Sequence, residues 1–128
     1  MNSHTYQGGC HCQKIRFSIK LDQAIEACEL TACNCSICEK TGYLHLIIAK
    51  SQFQLNSEWH LLRNYQFNKK IAKHYFCKNC GIKSFYQPRS HPDCWSVNVR
   101  CLDNYATLNL QIKHFDGRNW EHNISSLR

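Results

Sequence analysis

Apolar and polar residues alternate along much of the chain, a pattern typical of β-strands that face water on one side. The clearest alternation runs from Ile15 through Phe17 and Ile19 to Leu21, with basic or polar residues at the positions between. Residues 43–49 form a short apolar run, which favours a more buried strand. The pattern predicts further strands over residues 59–67, 71–76, 82–87, 96–102 and 105–115.

Helical signals are few. Residues 22–30 form one helical candidate, and residues 36–42 predict a short helix with Ser36 as N-cap, Glu39 completing a capping box and Gly42 ending it. A chain of 128 residues without an internal repeat or linker is most simply a single domain, residues 1–128. We therefore expect a small, mostly β domain with little helix.

Charge and hydropathy limit the classes of function. No run of about 18 apolar residues occurs, so no membrane span is expected. The first residues lack the apolar stretch of a secretory signal, and we expect a cytoplasmic protein. The formal net charge is +7, but the basic residues form no block. This distribution favours a solvated surface, and leaves nucleic acid as a partner that is open but not favoured.

Cysteine is the residue type that changes this picture. The chain has ten cysteines, and seven of them fall into three tight groups. The groups are Cys10-x-Cys12, Cys33-x-Cys35-x-x-Cys38 and Cys77-x-x-Cys80. In a reducing compartment such spacing indicates metal binding more readily than disulfides. Cys28, Cys94 and Cys101 stand apart, and we expect them to be small buried residues.

The two outer groups complement each other. Cys77-Lys78-Asn79-Cys80-Gly81 has the layout of a zinc knuckle between two strands, and Gly81 permits the positive φ of a tight turn. Because a closed structural zinc site needs four ligands, we expect Cys10 and Cys12 to supply the other two. Gly8 and Gly9 are expected to allow a sharp bend before them. A redox function of the CxxC motif is less favoured, since no βαβ context surrounds it.

The central triplet of Cys33, Cys35 and Cys38 supplies three thiolates and leaves a fourth position unassigned. Catalytic zinc sites keep such a position for water or substrate, so the triplet indicates an open metal site. Two alternatives stay open. The triplet could be a metal-free redox cluster. The chain could also close the site with one of these residues: His11, His45, His74, Cys28, Cys94 or Cys101.

The order of these motifs resembles the glutathione-dependent formaldehyde-activating (GFA, or CENP-V/GFA) family. The segments that carry the resemblance are GGCHCQKIRF, CNCSICEKTG and HYFCKNCG, followed by SVNVRCLD and FDGRNW, over about residues 5–122. The resemblance implies an Mss4-like (β-tent) fold with two Zn²⁺ ions. It implies a structural zinc on Cys10, Cys12, Cys77 and Cys80, and a second, more labile zinc on Cys33, Cys35 and Cys38.

The activity that the resemblance implies is a carbon–sulfur lyase type reaction, like that of S-(hydroxymethyl)glutathione synthase, on glutathione and formaldehyde. The family often has His and Arg where this chain has Asn34 and Glu39, so the thiol need not be glutathione. Lys40, Arg89 and Arg100 are candidates to hold an anionic thiol. The alternatives are a zinc-stabilised module that binds nucleic acid or protein, and a zinc or thiol buffer.

Overall fold

The computed structural model describes residues 4–33, 35–66 and 72–115. Its strands are β1 (His4–Gly9), β2 (Arg16–Leu21), β3 (Glu29–Cys33), β4 (Leu44–Ala49), β5 (Phe53–Leu55), β6 (Leu62–Tyr65), β7 (Lys73–Cys77), β8 (Phe85–Gln87), β9 (Cys94–Asn98) and β10 (Gln111–Phe115). The α-helix is α1 (Ser36–Thr41). Short 3-10 helices span Ile25–Ala27, Lys50–Gln52, Trp59–Leu61, Val99–Cys101 and Tyr105–Thr107. The expectation of a mostly β fold with little helix is confirmed.

The strands form two sheets. The smaller has the order β1-β2-β5, and the larger has the order β10-β3-β4-β9-β8-β7-β6. Neighbouring strands are antiparallel throughout, except that β10 runs parallel to β3. This topology places β3, which leads into α1, between β10 and β4 inside the larger sheet.

The main core lies between these sheets and follows the predicted alternation. Ile15 and every second residue after it to Leu21 are buried, each at most 4% exposed. Phe17, Ile19 and Leu21 pack in one cluster with apolar residues of β4 and β9 such as Leu46 and Val97. Burial of this apolar surface is the main source of the domain's stability.

Several predicted elements differ from the observed ones. Residues 22–30 do not form a helix: they contain a 3-10 turn at Ile25–Ala27 and then enter β3. Strand β3 forms because β10 and β4 pair with it on both sides, and such tertiary pairing overrides local helix propensity. Among the described residues, no helix has the length and apolar character that crossing a bilayer requires.

The other predicted strands are shorter than expected. The segments at residues 59–67 and 105–115 each begin with a 3-10 helix, and the segment at 82–87 is a strand only from Phe85. The segment at 96–102 turns into a 3-10 helix after Asn98, whose side chain accepts a hydrogen bond from the backbone N–H of Arg100. Residues 67 and 71, the end of one predicted strand and the start of another, lie outside the described residues.

Candidate metal centres

The outer cysteine groups meet in space. The sulfur atoms of Cys10, Cys12, Cys77 and Cys80 all lie within 4.8 Å of one another. The sulfurs of Cys10 and Cys12 are 3.5 Å apart, and those of Cys12 and Cys77 are 3.6 Å apart. A tetrahedral zinc ion with Zn–S bonds of 2.3 Å separates its sulfurs by about 3.8 Å. The four thiols therefore match a closed tetrahedral site in number and spacing.

Two glycines bring the first pair of thiols into place. Gly8 and Gly9 end β1, and the connection to β2 carries Cys10. A Cβ atom at Gly8 would lie 2.5 Å from the Cys101 carbonyl oxygen and 2.8 Å from the Phe17 ring. Neither glycine has a positive φ. The expected sharp bend at the glycines is therefore wrong, and their role is to let the backbone approach its neighbours closely.

The second pair sits in the predicted knuckle between β7 and β8. The Cys77 sulfur accepts hydrogen bonds from the backbone N–H groups of Asn79 at 3.3 Å and Cys80 at 3.5 Å. Gly81 adopts the expected positive φ of 79°, and its N–H donates to the Cys77 carbonyl at 2.9 Å. These backbone hydrogen bonds fix the position of the Cys77 sulfur beside the other three thiols.

Protonation distinguishes the thiols of this group. Burial raises the pKa of Cys10 to about 12, whereas hydrogen bonding from the Asn79 side chain lowers the pKa of Cys12 to about 6. Four closely spaced thiols, two of them buried, cannot all ionise without compensating charge. A divalent cation supplies that charge, so the donor set fits the zinc that the motif predicts.

The central triplet is assembled where β3 passes into α1. Cys33 is the last residue of β3, Cys35 precedes the helix and Cys38 lies in its first turn. Their three sulfurs lie within 4.8 Å of one another. The parallel partner β10 and the antiparallel partner β4 fix the end of β3 on both sides. The regular sheet therefore sets the position of the first thiol, and the helix sets the third.

The helix begins one residue earlier than predicted. Its N-cap is Cys35, so Ser36 is the first helical residue and Glu39 the fourth, and the predicted capping box does not form. At the other end, Gly42 adopts φ 63° and ψ 34°, and its N–H donates to the Glu39 carbonyl, as expected for the residue that ends the helix. A cysteine thus occupies the position where Ser or Asp usually accepts from helical N–H groups.

The local environment separates the thiols of the triplet. Hydrogen bonds from Cys33 and Cys38, with smaller contributions from the backbone N–H groups of Cys38 and Ile37, lower the pKa of Cys35. Hydrogen bonding to Cys33 and Cys35, together with burial, raises the pKa of Cys38. Cys35 is thus the thiol that ionises most readily, and a bound cation is needed before the other two thiols lose their protons as well.

No fourth ligand joins the triplet within residues 4–33, 35–66 and 72–115. His45 comes closest among the sequence candidates: its Nε2 lies 3.2 Å from the Cys38 sulfur, but His45 is not within 4.8 Å of all three thiols. The other candidates also lie outside the group: His11, His74, Cys28, Cys94 and Cys101. The last three are partly buried free thiols, rather than fully buried ones. Asn34 falls outside the described residues.

A polar cluster of four buried side chains lies next to Cys38 of the triplet. Its members are Tyr43, His45, Tyr86 and Ser96. The Nδ1 atom of His45 lies 2.9 Å from the Ser96 hydroxyl and 3.1 Å from the Tyr86 hydroxyl. The Tyr43 hydroxyl donates to the Ser96 carbonyl at 2.6 Å, and both tyrosine rings pack with Cys38. Burial lowers the pKa of His45 to about 3, so its ring is neutral near pH 7.

The structure also reveals a cation that the pattern did not indicate. Lys83 is only 6% exposed, whereas its neighbour Ile82 is 39% exposed, so burial here is the reverse of the usual preference. Of the sequence candidates, Lys40 is exposed on α1, and Arg100 contacts the Tyr105 ring and hydroxyl. The hydrophobic pattern gives no sign that Lys83 is buried, because the regular strand begins only at Phe85.

The tryptophans contribute packing at one edge of the core. Trp95 packs against Phe53 and Phe85, and Trp59 contacts Trp95 while remaining 50% exposed. Trp120 lies outside the described residues. The two described tryptophans are therefore packing residues at the core and its edge.

Two comparisons with known proteins agree with this arrangement. The family model described as glutathione-dependent formaldehyde-activating enzyme matches residues 5–118. A Rhodobacter sphaeroides protein, crystallised as a structural genomics target, has a similar structure with a TM-score of 0.72 and 28% sequence identity. The match covers 84% of this chain and 99% of that protein, so the likeness extends over nearly the whole of the solved structure.

Proposed function

The chain belongs to the glutathione-dependent formaldehyde-activating family, and on that premise we propose that it joins a small thiol to an aldehyde. The reaction would be of the carbon–sulfur lyase type, like that of S-(hydroxymethyl)glutathione synthase. Glutathione and formaldehyde are the substrates that the family implies. The observation that carries the proposal is the convergence of Cys33, Cys35 and Cys38 without a fourth described ligand.

The proposal divides the seven clustered cysteines between two zinc sites. Cys10, Cys12, Cys77 and Cys80 would hold a structural ion, which the number and close spacing of their four sulfurs support. Cys33, Cys35 and Cys38 would hold the second ion. When bound there, Zn²⁺ would favour the thiolate form of an incoming thiol near neutral pH.

The chemistry needs no oxidant or further co-reactant. The sulfur lone pair of the thiol forms a bond to the aldehyde carbon, and the π electrons of the carbonyl move to its oxygen. That oxygen gains the proton that the thiol loses, which gives a thiohemiacetal; with formaldehyde this product carries an S-hydroxymethyl group. The reverse path releases thiol and aldehyde, so one site serves both directions.

The residues of this chain would act by holding the reacting groups in place. The end of β3 and the first turn of α1 hold the three thiols in one place, and the buried rings of Tyr43 and Tyr86 form an apolar support beside Cys38. A fixed sulfur beside a small electrophile gains rate from proximity and orientation.

Exchange NMR of a mixture of thiol, formaldehyde and adduct tests the proposal. Zinc-loaded protein should raise the interconversion rate above background for at least one of several thiols compared. Cys35→Ser should abolish the increase, because it removes one of three converging sulfurs. Cys94→Ser is the matched control, since Cys94 is a free thiol outside both groups. Background rates with every thiol would contradict the enzyme reading and favour a binding module.

A further inference from the structure

Lys83 places a cation in the interior of the protein, against the two tyrosine rings of the polar cluster. Its Nζ atom lies 2.6 Å from Nδ1 of His74. It also lies 4.0 Å from the centre of the Tyr86 ring and 4.8 Å from the centre of the Tyr43 ring. The same two rings pack against Cys38 of the triplet. The rings of Tyr43 and Tyr86 therefore contact both the ammonium and the triplet.

No carboxylate within the described part of the chain forms an ion pair with this cation. The ion pairs found among the described residues are Arg16 with Asp103 and His60 with Glu58, and Lys83 takes part in neither. A buried ammonium costs considerable free energy unless a negative charge compensates it. Cation–π contacts and the hydrogen bond to a histidine offset only part of that cost. The negative groups that act on Lys83 are the thiols of the triplet.

We propose that Lys83 is the counter-charge of the triplet and that it makes an anionic thiolate, rather than a neutral molecule, the preferred ligand there. The inference rests on the proposed function only in taking the triplet as an open zinc site. Three thiolates on a divalent cation leave one negative charge, and a fourth thiolate leaves two. A fixed positive charge nearby compensates the second negative charge without occupying the ligand position.

The charge state of Lys83 is consistent with this role. Burial lowers the pKa of Lys83 to about 8, and the charges of Cys38, Cys35 and Cys33 act in the opposite direction. The side chain is therefore still mainly an ammonium at pH 7. Electrostatic attraction between unit charges is much stronger in such an interior than in water.

The test uses the 128-residue chain loaded with Co²⁺, whose sulfur-to-metal charge-transfer absorption reports each added thiolate. Two uncharged probes are titrated: 2-mercaptoethanol, which binds as a thiolate, and imidazole, which binds as a neutral ligand. Lys83→Met removes the charge and retains a flexible chain of similar length. Lys50→Met is the matched control, because Lys50 also lies over an aromatic ring, 4.9 Å from the centre of Trp95, but is exposed.

Lys83→Met should weaken 2-mercaptoethanol binding by about tenfold or more, while imidazole binding and the Lys50→Met variant stay near wild type. Equal weakening for both probes would show a purely structural role and overturn the inference. Unchanged binding of 2-mercaptoethanol would overturn it as well. If the wild-type protein binds no thiol, the open site of the proposed function fails first, which is a separate result.

A measurement on the wild-type protein keeps the inference testable if Lys83→Met does not fold. With ¹⁵N-labelled lysine, the Nζ resonance of Lys83 is followed against pH in the Zn²⁺-loaded protein. Saturating 2-mercaptoethanol should raise the pH at which Lys83 loses its proton, because an added negative charge stabilises the ammonium. A Lys83 titration that is identical with and without the thiol would overturn the inference.

Discussion

His45 shows how a single side chain connects the triplet to the sheet. A metal-bound Cys38 sulfur can only accept a hydrogen bond, so Nε2 of His45 must be the donor across the 3.2 Å contact. Nδ1 must then accept, and the hydroxyls of Ser96 and Tyr86 are both within reach to donate to it. The sulfur therefore sets the tautomer, and a hydroxyl that donates to Nδ1 holds the ring in place, which is how outer partners of metal ligands usually act.

His45→Phe should weaken metal binding at the triplet by about 10- to 100-fold, because it removes the donor to Cys38 and leaves a ring of similar size. The four-cysteine group should keep its metal and serve as an internal control. Competition with a chromophoric chelator measures both affinities. Unchanged affinity at the triplet would show that the contact to Cys38 has no influence on the metal.

Tyr43→Phe should lower the free energy of unfolding by about 1–2 kcal/mol, because it removes a buried hydroxyl that donates to the Ser96 carbonyl. Urea denaturation at fixed zinc concentration measures the change. Tyr105→Phe is the control, since its hydroxyl only accepts an exposed hydrogen bond from Arg100, and the expected loss is within about 0.5 kcal/mol. Equal losses for the two variants would contradict the argument from burial.

Among the elements, α1 was the most accurately predictable. Gly42 marks its end because a left-handed cap favours glycine, and this signal is local. The start was predicted one residue late, because Ser36 is the better N-cap by propensity and Cys35 takes the position instead. The thiol triplet brought together at this end of the helix outweighs capping preference there.

The strands show a similar division between local and distant causes. Strand β2 was predictable because its alternation reports one buried face. Strand β3 was not, since its existence depends on β10, which joins it from about eighty residues further along the chain. The sequence of neither strand alone indicates the parallel register that pairs Cys33 with Phe115.

Gly42→Ala should lower the free energy of unfolding by about 1–2 kcal/mol, because alanine at φ 63° is strained. No atom lies within 4 Å of the added Cβ, so steric overlap adds nothing. Gly42→Asn should cost less, since asparagine tolerates this conformation better. Urea denaturation compares the three proteins. A loss for asparagine as large as that for alanine would indicate a cause other than backbone strain.

For the molecule as a whole, sequence spacing anticipated both cysteine groups. Each CxxC or CxC motif brings two sulfurs together by local geometry, and the four-ligand rule then paired the outer motifs correctly in space. The polar cluster behind the triplet was not predictable, apart from His45 as one open candidate. Tyr86 joins this cluster because β8 pairs with β7 and β9, and Lys83 joins it from the segment just before β8. Both placements depend on tertiary structure.

Cys77→Ser should unfold the protein, whereas Cys35→Ser should leave it folded. The four-cysteine group joins the β1–β2 connection to the β7–β8 knuckle, so its metal affinity, about 10 kcal/mol or more for structural zinc, is folding free energy. The triplet spans only six residues and constrains much less chain. Circular dichroism melts measure both variants. Equal melting temperatures for the two variants would contradict the assignment of a structural role to the four-cysteine group alone.

Elemental analysis should find two zinc ions per chain, one of which a mild chelator removes. The triplet should lose its ion first, because three thiols hold zinc less tightly than four. Native mass spectrometry of Cys35→Ser, which should carry one ion, identifies the site that empties. A single ion that resists chelation would contradict a second site.

The separation of the two pairs in the four-cysteine group also has a consequence during protein synthesis. Cys10 and Cys12 leave the ribosome long before Cys77 and Cys80, so the first two thiols of the four-cysteine group have no partners while the intervening residues are made. Until then its thiols remain open to oxidation, and the nascent chain exposes unpaired strand edges. Oxidative stress should therefore reduce the yield of newly made protein far more than it harms molecules in which the four thiols have already come together.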